Sequence, residues 1–432
     1  MWWRRVVTVT AALSILIVDA TPAAQHLLRL PSRITIAAGQ SQTLPLDLPG
    51  SLAVRGSGGS GLRVDERQLG ASWSRLPGRA LTLLPAGPGL FVLHMRLFGV
   101  LPWRALRVEA VAVPEVYASG QSVGVVLRSR APLVVGLAGG RWPLLGNAPA
   151  ARAGLRRGDY ILAVNGTAVS GAADLAQAVQ RAGASGQAVQ LLVLRGGQRL
   201  HLTVRPERVR GTYLLGVWVR DRATGIGTMT FMSQSRYGAL GHAVTDSTTG
   251  VPVLLGSGSL FASQVSSVQP SRDGRPGEKV GALISGAPPL GSVTDNTEVG
   301  IFGRLLQPLA AAILSAHAIP VALEDQVHVG PAQLLTVLHG TSVASYAVRI
   351  DAVLPQRRAA SKGLVLTVTD PALLASTGGI VQGMSGSPIL QDGRLVGAVT
   401  HVLVDNPQRG YGVLAIWMTQ AAGLGEQPAR GV

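Results

Sequence analysis

Apolar residues in this chain fall in short runs that glycine or proline interrupts. Examples are Ile34-Thr35-Ile36, Leu81-Thr82-Leu83-Leu84, Phe91-Val92-Leu93, Val251-Pro252-Val253-Leu254-Leu255 and Leu364-Val365-Leu366-Thr367-Val368. Runs of that length suit strands and are too short for helices that bury a long stripe. With 55 Gly and 26 Pro among 432 residues, turns must be frequent. The 47% hydrophobic content is ample for burial, and the length exceeds what a single core supports. The expectation is a multidomain chain, mainly β with some α+β, in which a possible helix from Leu305 to Ala316 is an exception.

Charge narrows the function. The chain carries a net charge of +16 with 38 basic residues, and only Lys279 and Lys362 are lysines. The arginines stand singly or in pairs, such as Arg156/Arg157 and Arg357/Arg358, with no basic stripe interleaved with aromatics. That pattern speaks against nucleic acid as a partner and suits an anionic membrane surface or a solvated exterior. There is no cysteine, which excludes disulfides, thiol catalysis and Cys-based zinc sites. The eight histidines are dispersed and no H-E-x-x-H occurs, so neither a metal nor a cofactor is expected.

The N-terminus has its own character. Met1-Trp2-Trp3-Arg4-Arg5 precedes the uncharged run Val6 to Val18, which Asp19 closes. A basic head before an apolar run of that length reads as an export signal or membrane anchor over residues 1–24. The mature chain is then expected outside the cytoplasm, with the membrane as one partner.

Residues 25–117 read as an N-terminal β domain: Leu106-Arg107-Val108-Glu109-Ala110 alternates as a half-buried strand does, and no catalytic constellation stands there. Over 118–208 the texture becomes strand, loop, helix, strand. Ala153-Gly154-Leu155-Arg156-Arg157-Gly158-Asp159-Tyr160-Ile161-Leu162-Ala163-Val164-Asn165-Gly166 holds a Gly-Asp turn, a strand and an Asn-Gly turn, followed by Leu175 and Val179 one helical turn apart. This string resembles the signature of bacterial PDZ domains. The resemblance implies a groove that captures an extended peptide by strand addition, and Gly120 to Val125 is the candidate for the loop and strand that open it.

The remaining segment, 209–432, carries the chemistry. His242 lies among small residues in Tyr237-Gly238-Ala239-Leu240-Gly241-His242-Ala243, and Ser385 lies in the Gly-bracketed turn Gly383-Met384-Ser385-Gly386-Ser387-Pro388. Acyl transfer by a serine needs a base for the hydroxyl proton and N–H donors aimed at the developing oxyanion. A glycine two residues before the serine lets the amides of Gly383 and Ser385 converge on that oxyanion. The turn is similar to the G-x-S-G-G-P turn of chymotrypsin-like peptidases, with Ser387 in place of the last Gly. Asp370 falls between His242 and Ser385 in the order expected of an orienting carboxylate. It equally reads as the N-cap of a helix that opens with Pro371, and Asp246 and Asp351 are its reserves.

Taken together, the export segment, the β domain, the PDZ-like string and the G-H-A and G-M-S-G-S-P-I strings resemble the stage IV sporulation protein B family of serine peptidases. So do Gly225-Ile226-Gly227-Thr228-Met229-Thr230-Phe231, Gly300-Ile301-Phe302-Gly303 and Gly397-Ala398-Val399-Thr400-His401-Val402. The resemblance implies a chymotrypsin-like double β-barrel with Ser385 as nucleophile, His242 as general base and Asp370 as third member. It further implies export into the space between forespore and mother-cell membranes, self-cleavage with the chain's own segments recognised through the PDZ domain, and a membrane-bound regulatory protein as substrate in sigma-factor activation. The rival readings are an exported PDZ adaptor with an inactive peptidase fold and a quality-control protease, whose domain order would be the reverse of this one.

Overall fold

The computed structural model describes residues 32–46, 50–58, 61–139, 147–272, 274–307 and 317–425. The candidate export segment, and the expected helix beyond residue 307, lie outside the described residues. Leu305 itself ends a strand, Gly300–Leu305. The chain divides into two compact units, one ending at Pro114 and one running from Glu115 to Leu424.

The first unit is a pair of sheets around one core. Five strands lie in the order Arg33–Ala37, Leu101–Val111, Gly89–Leu97, Ser51–Gly58, Ser74–Pro77, and four in the order Gln42–Pro45, Ala80–Pro85, Leu62–Val64, Arg67–Gln68. Strict alternation along Ala80–Pro85 sends Leu81 and Leu83 inward, where they meet Leu52, Val54, Phe91, Leu93, Leu106 and Val108. Each such side chain, fully buried, contributes about 1.5–3 kcal/mol of hydrophobic stabilisation.

In the second unit, a long strand, Ser122–Leu137, belongs to two neighbourhoods. Its first half, Val123 to Ser129, pairs with Leu255–Ala262, while Leu133 near its second end pairs with Tyr160 of the strand Tyr160–Val164. From there the sheet continues through Val189–Arg195 and Gln198–Val204, and the helix Ala172–Ala184 packs Leu175, Val179 and Ala182 on the same core. The turns expected from the Ala153–Gly166 string are present. Asn165 and Gly166 both have positive φ, and Asn165 Oδ1 accepts from the Gln190 amide at 2.7 Å. Buried Asp159 is held by both arms of Arg195 at 2.7 Å and by the Arg156 amide at 2.7 Å. The strand beside the helix differs from the expectation: Gly120 packs against Leu335 and Val343, and Val123 to Leu127 pair with Gly258 to Ala262, so the stretch from Leu133 onward borders the groove.

The remainder is β throughout. Six strands close a barrel: Gly330–Val337, Val343–Val353, Leu364–Val368, Asn406–Leu414, Arg394–Leu403 and Pro388–Gln391. Its interior is filled by Leu334, Val348, Ile350, Leu366, Ile389 and Val399 among others. Against it lies a strand of the long sheet, Val217–Met232, which touches Pro388–Gln391. We call Val217–Met232 the bridging strand.

Candidate active site

The turn carrying Ser385 is fastened from three sides. The bridging strand supplies three bonds: the Thr228 amide donates to Ser385 O at 2.9 Å, Thr228 Oγ1 to Gly383 O at 2.8 Å, and Thr230 Oγ1 to Gly386 O at 2.7 Å. The barrel supplies Val399 O, which accepts from the Gly386 amide at 2.7 Å. On the third side the Lys279 amide donates to Gln382 O at 2.9 Å. Gly386, with φ +92°, is the position that admits nothing larger, because a Cβ there would stand 2.1 Å from Thr228 O and 2.4 Å from the Leu240 amide nitrogen.

That close approach brings the two chemical strings together. Leu240 and Gly241 both have positive φ, a conformation that costs glycine nothing and strains Leu240, just before His242. A Cβ on Gly241 would lie 3.0 Å from Thr400 Cγ2. Ser385 Oγ donates to Thr400 O at 3.0 Å, and the ring of the next residue, His401, stands 5.2 Å from the ring of His242. Ser385 and His242 are thus each linked to the Thr400–His401 stretch of the barrel. Ser385 and His242 are not themselves hydrogen-bonded, since the serine hydroxyl is engaged with Thr400.

The electrostatics suit a base. Desolvation lowers the His242 pKa from its ordinary value, so its imidazole is neutral at pH 7. Its Nδ1 lies 2.8 Å from Ala243 O. A carbonyl only accepts, so the proton sits on Nδ1 and Nε2 is the basic nitrogen. His401 is pushed down to about 4 by desolvation first, then by His242 and Lys362, and so is neutral as well.

The amides of Gly383 and Ser385, the expected oxyanion donors, differ from their neighbours in the turn. Within the turn the amides of Met384, Gly386 and Ser387 all donate to carbonyls, of Val381, Val399 and Met384 respectively. Among the described residues, the amides of Gly383 and Ser385 donate to no protein acceptor. Gly383 holds φ +91°, a backbone conformation side chains disfavour.

The carboxylates lie elsewhere. Asp370 takes the N-cap reading: its carboxylate accepts from Ala372 and Leu373 at 3.0 Å and from Ala347 at 3.1 Å, at the head of the helix Pro371–Thr377. Those amides hold its pKa low. Asp246 pairs with Arg220 and binds the amides of Thr248 and Thr249, and Asp351 binds Arg349 and Thr367. None of the three hydrogen-bonds His242 among the described residues. The orienting contact is instead the Ala243 carbonyl, because Asp370's oxygens are taken up by backbone donors.

Sequence reasoning missed what lies behind the turn. Ser387, the departure from the chymotrypsin-like pattern, is buried with its hydroxyl 3.0 Å from Thr336 Oγ1 and 3.4 Å from Thr228 Oγ1. Thr336 in turn accepts from Lys279 Nζ at 2.7 Å. Lys279 is buried, which pushes its pKa down to about 7, and its stem lines Gly383. Only its being one of two lysines in an arginine-rich chain hinted at this.

Fold and site define a PDZ domain joined to a β-barrel segment that carries the serine turn. Residues 211–419 match the SpoIVB peptidase S55 family and residues 147–195 a PDZ domain. The two matches together take in the PDZ region and the segment that holds His242, Asp370 and Ser385. It is 48% identical over 67 residues to a protein named as a serine protease, HhoA, of Synechocystis sp.; the match covers 16% of this chain and spans 17% of that relative's length. Among solved structures it is similar to the active form of the Rv3671c protease of M. tuberculosis, with TM-score 0.29, 16% identity, and coverage of 48% of this chain and 77% of that one. The inactive form of the same protease gives TM-score 0.26 and 15% identity, covering 46% and 84%.

Proposed function

We propose that this chain is an exported serine endopeptidase of sporulation signalling, which cleaves itself and cuts a membrane-bound regulator to trigger sigma-factor activation. The observation that carries the chemistry is the turn Gly383–Ser387, whose two uncommitted amides flank a serine hydroxyl bonded to Thr400, one residue from the His401 ring that faces His242. In the reaction, the Ser385 hydroxyl turns from Thr400 O to His242 Nε2, gives up its proton there and attacks the scissile carbonyl. The carbonyl oxygen, now negative, moves toward the amides of Gly383 and Ser385. His242 then returns the proton to the leaving amine, and water repeats the sequence on the acyl-enzyme. The sporulation context and the regulator rest on the family, and the site outside the cytoplasm on the basic, apolar N-terminus.

The test follows self-cleavage of the full chain by intact mass, with and without Ser385→Ala. Fragments that form only when Ser385 is present support the proposal. One observation favours a second reading, an adaptor with an inactive peptidase fold: Ser385 is bonded to Thr400 and not to His242. Two folded proteins that both stay intact, and fail to react with a fluorophosphonate, would establish that reading.

A further inference from the structure

The bridging strand has a different partner at each end. Its first residues run antiparallel to the end of Ser122–Leu137, with Val217 opposite Leu137, Trp218 opposite Gly136, Val219 opposite Val134 and Arg220 opposite Leu133. Just before it, Gly216 O accepts from the Ala138 amide at 3.0 Å and Leu215 O from the Ala150 amide at 2.9 Å. On the other side lies the helix Ala172–Ala184. Gln180 clamps the backbone of Tyr213, donating to its carbonyl at 2.7 Å and accepting from its amide at 3.2 Å. The Tyr213 ring lies so near Gly183 that a Cβ there would stand 2.3 Å from it. Tyr213, Leu215, Val217 and Val219 pack on the domain core, while Leu214 and Trp218 are exposed. An extended segment added antiparallel to a strand, beside a helix, with alternate side chains inward, is how a PDZ groove holds a ligand.

We propose that Tyr213–Arg220 is the groove's built-in ligand, that an external occupant is an extended segment with apolar side chains at alternate positions, and that its entry displaces the built-in segment and alters the catalytic turn. The coupling is covalent continuity: the same strand runs on to Thr228 and Thr230, which hold the carbonyls of Gly383, Ser385 and Gly386. Only this last consequence rests on the peptidase reading. The built-in segment competes at the millimolar effective concentration of a tethered ligand, so an external segment wins only when it is abundant or brought close by its own membrane or protein attachment.

The probe is a fluorescent peptide with the sequence from Thr212 to Asp221, titrated into the full chain carrying Val134→Cys and Val219→Cys. Val134 gives its own amide and carbonyl to Asp159 O and the Gly158 amide. Opposite Val219 it therefore sits in a non-hydrogen-bonded pair, the spacing of about 4.5 Å that a disulfide accepts, and the chain has no cysteine to interfere. The reduced form should bind the peptide at least tenfold more tightly than the oxidised form. On binding, amide hydrogen exchange of residues 381–388 should rise severalfold in the reduced form alone. Equal binding in the two forms, absence of binding in both, or binding without any change in exchange at 381–388 would each overturn the proposal. Tyr213→Ala gives the same test without cysteines, because the weakened built-in segment should yield to the peptide with at least fivefold higher affinity, and unchanged affinity refutes it. Exchange needs no turnover, so a chain that responds to peptide yet never reacts with a fluorophosphonate refutes the peptidase reading and leaves the groove assignment standing.

Discussion

The two halves of the bridging strand obey different rules. From Val217 to Thr224 half-buried and exposed residues alternate, whereas Gly227 to Met232 are all buried. The outer half has one face on the groove and one in water, and its hold is backbone pairing plus a few apolar contacts. The inner half is enclosed on both faces and spends its polar groups on the catalytic turn. A strand can thus be exchangeable at one end and fixed at the other, and burial on the second face marks the difference.

Substitution along the strand should expose that difference sharply. Thr228→Val keeps the shape but removes the donor to Gly383 O and a partner of Ser387. It should cost about 1–3 kcal/mol in urea unfolding and slow fluorophosphonate labelling of Ser385 by about 10–100-fold, as a shifted oxyanion turn would. Thr228→Ser should restore most of both. Arg222→Ala in the outer half, whose side chain is exposed, should stay within about 0.5 kcal/mol. Equal effects at the two positions would sink the distinction.

The next effect is on pH dependence. Lys279, with its pKa brought from 10.5 to about 7 by burial, is neutral in the folded chain where the unfolded chain still holds its proton. Between pH 7 and 10.5 the unfolded state binds more protons, so stability should rise with pH across that window. Lys279→Met should flatten the rise and make the protein more stable than the parent at pH 6, as read by urea midpoints from pH 6 to 10. A rise that survives the substitution would assign it to another group.

The smallest effect is expected at Asp370. Asparagine caps a helix about as well as aspartate, so Asp370→Asn should change stability by less than about 0.5 kcal/mol and labelling of Ser385 by less than about threefold. A loss of a hundredfold or more, at unchanged stability, would return Asp370 to the triad in the working enzyme.

What the sequence made legible follows from range. The Ala153–Gly166 turns and the Asp370 cap are set by neighbours a few residues apart, so their residue types announce them. The glycines around Ser385 were readable for the same reason. Thr228, Thr230 and Lys279 act on that turn from about 100 to 156 positions away, and nothing in a threonine's surroundings in sequence says which carbonyl it will meet. The groove strand was misplaced because both halves of Ser122–Leu137 are apolar, one for each neighbourhood, and composition does not tell them apart. His401 stood within a quoted string but carried no role there, since its place beside His242 is a product of the barrel closing.

The separation between Thr228 and Gly383, 155 positions along the chain, also sets a schedule. A chain made from its N-terminus can fold the sequence-local turns of its PDZ region early, because their contacts close short loops. The donors of the oxyanion turn cannot be set until the strand holding Val399 and Thr400 has emerged. The turn around Ser385 is therefore among the last pieces of the fold to be fastened, well after the PDZ region has had its own contacts to close.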